Sequence, residues 1–90
     1  MKNPKNTHAL TLFLLIENRK NGVTNLDAMN VFHSKFSTRL GELQRSYPAL
    51  IIKKELVTKT NRFNHSSTFM NYKCLNKITE LKNIYNKINT

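Results

Sequence analysis

Ninety residues bound the chain to one domain, 1–90. Fifteen lysines and arginines against five acidic residues give a formal net charge of +10, and such a chain is expected to bind a polyanion, most commonly nucleic acid. The single cysteine, Cys74, excludes an internal disulfide and therefore a disulfide-stabilised secreted domain. Two glycines and two prolines exclude collagen-like and Gly/Pro-rich disordered chains.

The N-terminal apolar run resembles a signal peptide only superficially. Lys2 and Lys5 precede an apolar run over 9–16, which is far shorter than the ~20 residues needed to cross a bilayer. The run is followed by the polar residues 17–20, without a small-x-small cleavage site. We therefore expect a buried first helix in a cytoplasmic protein, with no membrane contact.

The first helix is predicted from Thr7, its expected N-cap, to Asn21, with Gly22 as its C-terminal stop. It is apolar nearly all round, because one face carries Leu10, Phe13 and Leu14 and the others carry Leu12, Leu15 and Ile16. Such a helix is either sandwiched inside the fold or half of a subunit contact.

Two further helices with a tight turn between them are predicted next. Thr24 and Asp27 have capping-box spacing at the start of a short helix, 25–32, that is expected to bury Leu26, Met29 and either Val31 or Phe32. The pattern breaks at 33–34 and resumes in a helix over 34–46, with Phe36, Leu40 and Leu43 on one face and Pro48 beyond its end. This arrangement is typical of a helix-turn-helix.

Beyond Pro48 the pattern predicts a two-stranded antiparallel hairpin over 50–75, with a polar loop at 61–67. Because an isolated hairpin is marginally stable, it must lie against the helices. A last helix over 77–88 carries one apolar stripe, Ile78, Leu81, Tyr85 and Ile88. The predicted fold class is α+β, a winged helix-turn-helix (7–76) with an added C-terminal helix (77–89).

Four short motifs give this order of elements a family resemblance. Residues 22–32, GVTNLDAMNVF, resemble the G-[IV]-T-x-x-[ED]-A-x-x-x-F opening of small winged helix-turn-helix proteins of bacteriophages and prophages, and 37–43, STRLGEL, resemble their S-x-R-[IL]-x-E-L recognition helix. Residues 47–51 and 72–75 resemble the motifs at the two ends of the wing, with Ser46 in place of the usual glycine and Tyr72 one residue too far from Leu75. The resemblance covers about 7–76 and implies DNA binding.

The outward face of the 34–46 helix is the first candidate site. At about 100° per residue, Ser34, Thr38, Gly41 and Arg45 lie opposite the buried stripe, with Ser37 and Glu42 on the flanks. Arg45 can contact guanine O6 and N7 bidentately, and Gly41 permits close approach of a ligand backbone. The alternative is an ordinary solvent-exposed face.

Arg39 lies beside the buried stripe, and two roles remain open for it. It either contacts a phosphate or pairs internally with Glu42 three residues along.

The predicted wing concentrates positive charge. Lys53, Lys54, Lys59 and Arg62 lie along it, and Arg62 and His65 near its tip are candidates for the minor groove, where arginine reads narrow A·T tracts. The lysines also suit an edge strand that must avoid pairing with another sheet. Lysines 20, 35, 53, 54 and 59 would contact phosphates and position the module. The predicted nucleic-acid-binding residues are Ser34, Lys35, Ser37, Thr38, Arg39, Gly41, Arg45, Lys53, Lys54, Lys59, Arg62 and His65.

No pattern of catalytic or metal-ligating residues is found. His8, His33, His65 and Cys74 have no paired metal-ligand spacing, and neither a Ser-His-Asp order nor a Gly-rich phosphate loop is present. We expect a protein that is not an enzyme and holds no metal or cofactor.

The expected partner is double-stranded DNA, and the expected role is that of a transcriptional regulator or architectural factor of a phage or mobile element. The C-terminal stripe and the spare apolar positions of the first helix predict a homodimer, whose two half-sites would lie near one DNA turn apart; alternatively, the last helix covers the first within one chain. A second reading is a small inhibitor that binds a host protein with Leu12, Leu15 and Phe63 as anchors. RNA binding through Phe63 or Phe69 is a third.

Overall fold

A computed structural model describes residues 1–90 and contains four helices and a two-stranded antiparallel hairpin. The elements in chain order are α1 (Thr7–Glu17), α2 (Asn25–Met29), α3 (Phe36–Ser46), β1 (Ile52–Thr60), β2 (Ser66–Cys74) and α4 (Ile78–Ile88). The α+β class predicted from the sequence is confirmed. None of the helices combines the length and the apolar character that spanning a membrane requires.

Asparagines cap both ends of α1. The Asn6 side chain accepts a hydrogen bond from the Ala9 N–H at 2.8 Å, so Asn6 and not Thr7 is the N-cap. The helix ends at Glu17, four residues before the predicted end, and the Asn18 side chain donates to the Leu14 carbonyl, a bond that competes with further helical turns. Gly22 follows with φ +85°, and a Cβ there would lie 2.4 Å from the Asn71 amide nitrogen.

α2 is short, and its outer side faces solvent. The capping box between Thr24 and Asp27 is confirmed, with both hydrogen bonds present. The helix ends at Met29, because the Phe32 backbone turns to φ +58° and the His33 N–H returns to the Ala28 carbonyl. Only Ala28 of this helix is buried. The predicted burial is therefore wrong for the whole set Leu26, Met29, Val31 and Phe32, each of which is exposed.

α3 carries the predicted apolar stripe, and Phe36, Leu40 and Leu43 are buried as expected. It begins at Phe36 instead of Ser34, with Lys35 at the N-cap and no side-chain capping bond. Ser34 therefore lies in the preceding turn and not on the helix. The Tyr47 N–H closes the last turn on the Leu43 carbonyl at 2.7 Å, immediately before Pro48.

The hairpin pairs Ile52 with Cys74 at its base and Thr60 with Ser66 at its far end. Val23 forms a bridge on the other side of β2, where its backbone N–H and C=O both bond to Tyr72 at 2.8 and 2.9 Å. The order across this small sheet is therefore Val23, β2, β1, which leaves β1 as an outer edge. The ring of Tyr72 lies 5.8 Å from that of Phe36 and joins the sheet to the helical core.

α4 packs against α1 and completes the core. Leu81 and Tyr85 are 0% exposed and share one cluster with Leu12, Leu15 and Ile16. The Tyr85 hydroxyl donates to the Lys2 carbonyl at 2.6 Å, and burial raises the pKa of that hydroxyl. The predicted dimer contact through Ile78, Leu81, Tyr85 and Ile88 therefore has no surface to offer at Leu81 or Tyr85. The alternative, that the last helix covers the first within one chain, describes the structure, and α4 is part of the core rather than an addition to it.

His33 connects α1 with the start of α3 from a buried position. The Thr11 hydroxyl donates to the Thr7 carbonyl, so it accepts the bond from His33 Nε2, at 2.7 Å. The imidazole meets the Phe36 ring edge-on at 6.0 Å. Burial, with a smaller contribution from the Arg39 charge, lowers the pKa of His33 below 6.5.

His33 is expected to make folding stability depend on pH. Because the pKa of His33 is lower in the folded chain, the unfolded chain binds more protons below pH 6.5, and the free energy of unfolding falls as the pH decreases through and below 6.5. Denaturant unfolding at several pH values measures this fall. His33→Gln should flatten the curve in that window, whereas His65→Gln, at an exposed position, should leave it unchanged. An equal slope in the His33→Gln variant would contradict the assignment.

Candidate nucleic-acid interface

The side of α3 that faces away from the core is polar and open to solvent. Ser37, Thr38 and Arg45 are exposed, as their positions away from the Phe36–Leu40–Leu43 stripe require. Ser34 and Lys35, in the turn before the helix, are exposed as well. The Ser37 hydroxyl donates to the side-chain oxygen of Asn25 at 3.2 Å, which places the first turn of α2 beside the first turn of α3. No acidic side chain lies among these exposed residues.

Gly41 lies in the middle of this face and is surrounded by open space. A Cβ built at Gly41 meets nothing within 4 Å, so the chain itself has no steric need for glycine there. Glycine in a helix interior costs about 1 kcal/mol relative to alanine. Gly41 therefore lowers the stability of the helix, and nothing in the fold requires a glycine at this position. Close approach of a ligand to the helix backbone would explain why a glycine is present.

Arg39 adopts the internal role that the sequence left open. Its Nη1 donates to Glu42 Oε1 at 2.6 Å, and the same oxygen accepts from His8 Nε2 at 2.9 Å. The hydrogen bond from Arg39, followed by the one from His8, lowers the pKa of the Glu42 carboxyl. This cluster ties α3 to the first turn of α1. Arg39 is thus engaged within the chain by a charged pair, whereas Thr38 and Arg45 of the same helix stay exposed.

The lysines of β1 lie on both faces of the hairpin. Side chains alternate along a strand, so Lys53 and Lys59 share one face and Lys54 lies on the other. Glu55 takes up part of this charge: its carboxylate lies 3.3 Å from Lys73 and 4.0 Å from Lys53. The hydrogen bond from Lys73 is the main reason that the pKa of Glu55 is lowered. Lys54 and Lys59 are exposed and have no acidic partner.

The hairpin tip is held by Asn61, a residue that the sequence analysis treated only as part of a polar loop. Its side-chain oxygen accepts from the N–H groups of Phe63 and His65 at 2.9 and 3.1 Å. The Arg62 guanidinium lies 4.7 Å from the centre of the Phe63 ring, a cation–π contact. The available signal was the asparagine itself, since an asparagine side chain readily accepts a hydrogen bond from the backbone two residues further on. Arg62 and His65 are presented to solvent on this ordered tip.

The first turn of α2 lies between α3 and the hairpin. Asn25 receives the Ser37 hydrogen bond on one side. Leu26 on the other side lines a shallow groove of about 350 Å³ together with hairpin residues, namely Lys59, Thr60, Asn61, His65, Ser67 and Phe69. The predicted α3 residues and the predicted hairpin-tip residues therefore flank the same short helix.

Positive charge on this surface is largely unneutralised. Only Arg39, Lys53 and Lys73 among the fifteen lysines and arginines have a carboxylate within 4.0 Å. Such a surface raises the local concentration of polyanions and attracts them over a distance limited by salt.

Groups capable of other chemistry are few. No three His, Cys, Asp or Glu side chains come together in a way that could hold a metal ion. Cys74 is buried, its thiol donates to Asn76 Oδ1 at 3.3 Å, and burial raises the pKa of that thiol.

Comparison with protein-family models, with curated proteins and with solved structures finds no match to this chain. The resemblance over 7–76 therefore rests on its short motifs and their order.

Replacing Gly41 with alanine is expected to stabilise the folded chain. Gly41→Ala should raise the free energy of unfolding by about 1 kcal/mol, because helix propensity improves and the added methyl group meets no neighbour. Urea unfolding followed by circular dichroism measures the change. A loss of stability would show that the position of Gly41 is not open to an added methyl group.

Proposed function

We propose that the chain is a winged helix-turn-helix protein that binds double-stranded DNA, as a transcriptional regulator or architectural factor of a bacteriophage or mobile element working in the cytoplasm of its bacterial host. In this proposal α3 enters the major groove, and the β1–β2 hairpin contacts the backbone or the minor groove.

The observation that carries the proposal is the composition of the exposed face of α3. It combines small hydrogen-bonding side chains with Lys35 and Arg45, and it has no carboxylate, since the only acidic residue of the helix is bound by Arg39 and His8. Serine, threonine and arginine are side chains that hydrogen-bond base edges and phosphates. An α-helix of this kind fits the width of the major groove.

The order of elements also supports the proposal. Two helices joined by a turn precede a hairpin whose inner strand bridges back to Val23. Lys54, Lys59 and Arg62 are exposed on this hairpin and suit phosphate contacts, which position a module on the duplex without selecting sequence.

The host-protein alternative loses two of its three expected anchors. Leu12 and Leu15 are buried in the core, so neither can contact a partner, and only Phe63 remains exposed. The RNA alternative depends on Phe63 and Phe69, which do not form a broad stacking platform. Neither alternative is favoured by a specific observation at these residues.

Binding to duplex DNA is expected to depend steeply on salt. Release of counterions from about six phosphates reduces affinity on the order of a thousandfold between about 50 and 200 mM monovalent salt. Fluorescence anisotropy of a labelled duplex, titrated with protein at several salt concentrations, gives the slope. Affinity that is flat across this range would contradict the proposal.

A paired substitution on α3 is expected to abolish the DNA shift. Thr38→Ala with Arg45→Ala removes a hydroxyl and the one arginine that can contact guanine bidentately, a contact whose loss alone reduces affinity by about ten- to a hundredfold. Electrophoretic mobility shift against duplexes selected from a random pool measures the loss.

The matched control lies on α4. Thr79→Ala with Lys82→Ala removes the same kind of hydroxyl and the same charge from exposed positions on α4, and should leave binding within a few-fold of the wild type. Equal effects of the two pairs would show that net charge alone governs binding and would contradict a specific role for α3.

A further inference from the structure

A phenylalanine, Phe63, lies at the tip of the β1–β2 hairpin with most of its surface in solvent. It is 65% exposed and does not belong to the hydrophobic core. The guanidinium of Arg62 lies 4.7 Å from the centre of its ring. The fold therefore gains little burial from a phenylalanine at this position, and the ring is open to a ligand.

Asn61 holds the backbone of the tip around Phe63. Its side-chain oxygen accepts from the N–H groups of Phe63 and His65 at 2.9 and 3.1 Å. Its carbonyl accepts from the Asn64 N–H at 3.0 Å, and its own N–H donates to the His65 carbonyl at 2.9 Å. Asn64 takes the positive φ of the turn, +65°, which asparagine tolerates better than most residues. The turn holds Phe63 through its backbone, so replacing the side chain leaves these bonds in place.

The charges near the hairpin tip are positive. The chain has no aspartate or glutamate over 56–79, and neither Lys59 nor Arg62 has a carboxylate within 4.0 Å. The other strongly exposed phenylalanine, Phe32 at 91%, lies within 21–34, where the one charged side chain is an aspartate. Charge complementarity therefore favours a polyanion as the ligand of the tip and not of Phe32.

We propose that Phe63 is a wedge that enters the minor groove of duplex DNA, inserts between two base pairs and bends the duplex. This inference rests on the DNA binding proposed above and specifies what the hairpin does in that complex. Phenylalanine is among the apolar side chains that act in this way in proteins that kink DNA. Arg62 then stays at the edge of the groove, where its guanidinium contacts phosphates or base acceptors.

The dimensions of the minor groove suit a single inserted side chain. The groove is about 6 Å wide, which is too narrow for a two-stranded ribbon with its side chains, so only residues at the tip enter it. Insertion of an apolar side chain unstacks one base step in part and bends the duplex by about 20–90° towards the major groove. Contacts along the bent duplex offset the lost stacking. Phe63 would therefore give the protein the action of an architectural factor.

Energy transfer between dyes at the two ends of a short duplex measures the bend. The duplex carries a site selected from a random pool, and the full chain is added to saturation at about 50 mM salt. The wild-type chain should bend the duplex by about 20–90° and raise the transfer. Phe63→Ala should return the transfer close to that of free DNA. Its affinity, followed by anisotropy, should change by less than about tenfold, because losing the insertion also removes the cost of unstacking.

Two variants serve as controls for Phe63→Ala. Phe63→Leu keeps an apolar side chain that can act as a wedge and should retain most of the bend. Leu56→Ala removes an apolar side chain that is 70% exposed on β1, away from the tip, and should leave the bend unchanged.

Three results would overturn this inference and leave DNA binding intact. They are a bound duplex that stays straight with the wild-type chain, a bend that Phe63→Ala does not reduce, and a bend that Leu56→Ala reduces as strongly as Phe63→Ala does. If Phe63→Ala weakens binding to single strands and still bends the duplex, the ring stacks on unpaired bases instead. A wild-type chain that binds no duplex at any salt concentration would overturn both this inference and the proposed function.

Discussion

Burial of Phe36, Leu40 and Leu43 fixes the rotation of α3 about its own axis, and the rest of the surface depends on it. With that stripe against the core, Thr38 and Arg45 must face solvent, and Glu42 must lie on the flank next to α1. There Arg39 and His8 bind its carboxylate. A rotation of one residue, about 100°, would bring the carboxylate towards the exposed face and remove the arginine from it.

Exposure to solvent likewise determines where charged side chains lie on the hairpin. Its base is tied to the helices through Tyr72, Cys74 and Val23, while the distal half has no core to cover it. Lysine and arginine side chains have little desolvation penalty there because water solvates them. Along an outer edge they also discourage pairing with another sheet. Glu55 between Lys53 and Lys73 relieves the one point where two lysines stand directly opposite each other.

The sequence predicted elements well where a strong period or a specific cap was present. The Thr24–Asp27 capping box, the α3 stripe and the existence of the hairpin could all be inferred, since each depends on residues close together in the chain. Helix ends were less predictable: Asn6 and Asn18 compete with their neighbours as caps, and Ser34 gives way to a helix that begins at Phe36. The prediction of burial around α2 was wrong, because the apolar residues of so short a helix do not indicate which other element, if any, will cover them.

The candidate site divides in the same way. Exposure of Thr38 and Arg45 follows from helical geometry alone. The Arg39–Glu42–His8 cluster could not be predicted from local sequence, because it depends on the start of α1 lying beside α3. His8 and Glu42 are thirty-four residues apart in the chain. The partner of the C-terminal stripe also depended on long-range packing, which is why an internal contact and a dimer looked equivalent before the fold was known.

Cys74 provides a natural probe of local opening in this molecule. The chain has no other thiol, and this one is 3% exposed at the last residue of β2, where the hairpin meets the segment leading to α4. A thiol-specific reagent can reach it only after that junction opens. The rate of labelling under native conditions therefore reports the separation of the hairpin from the helices, without any engineered probe.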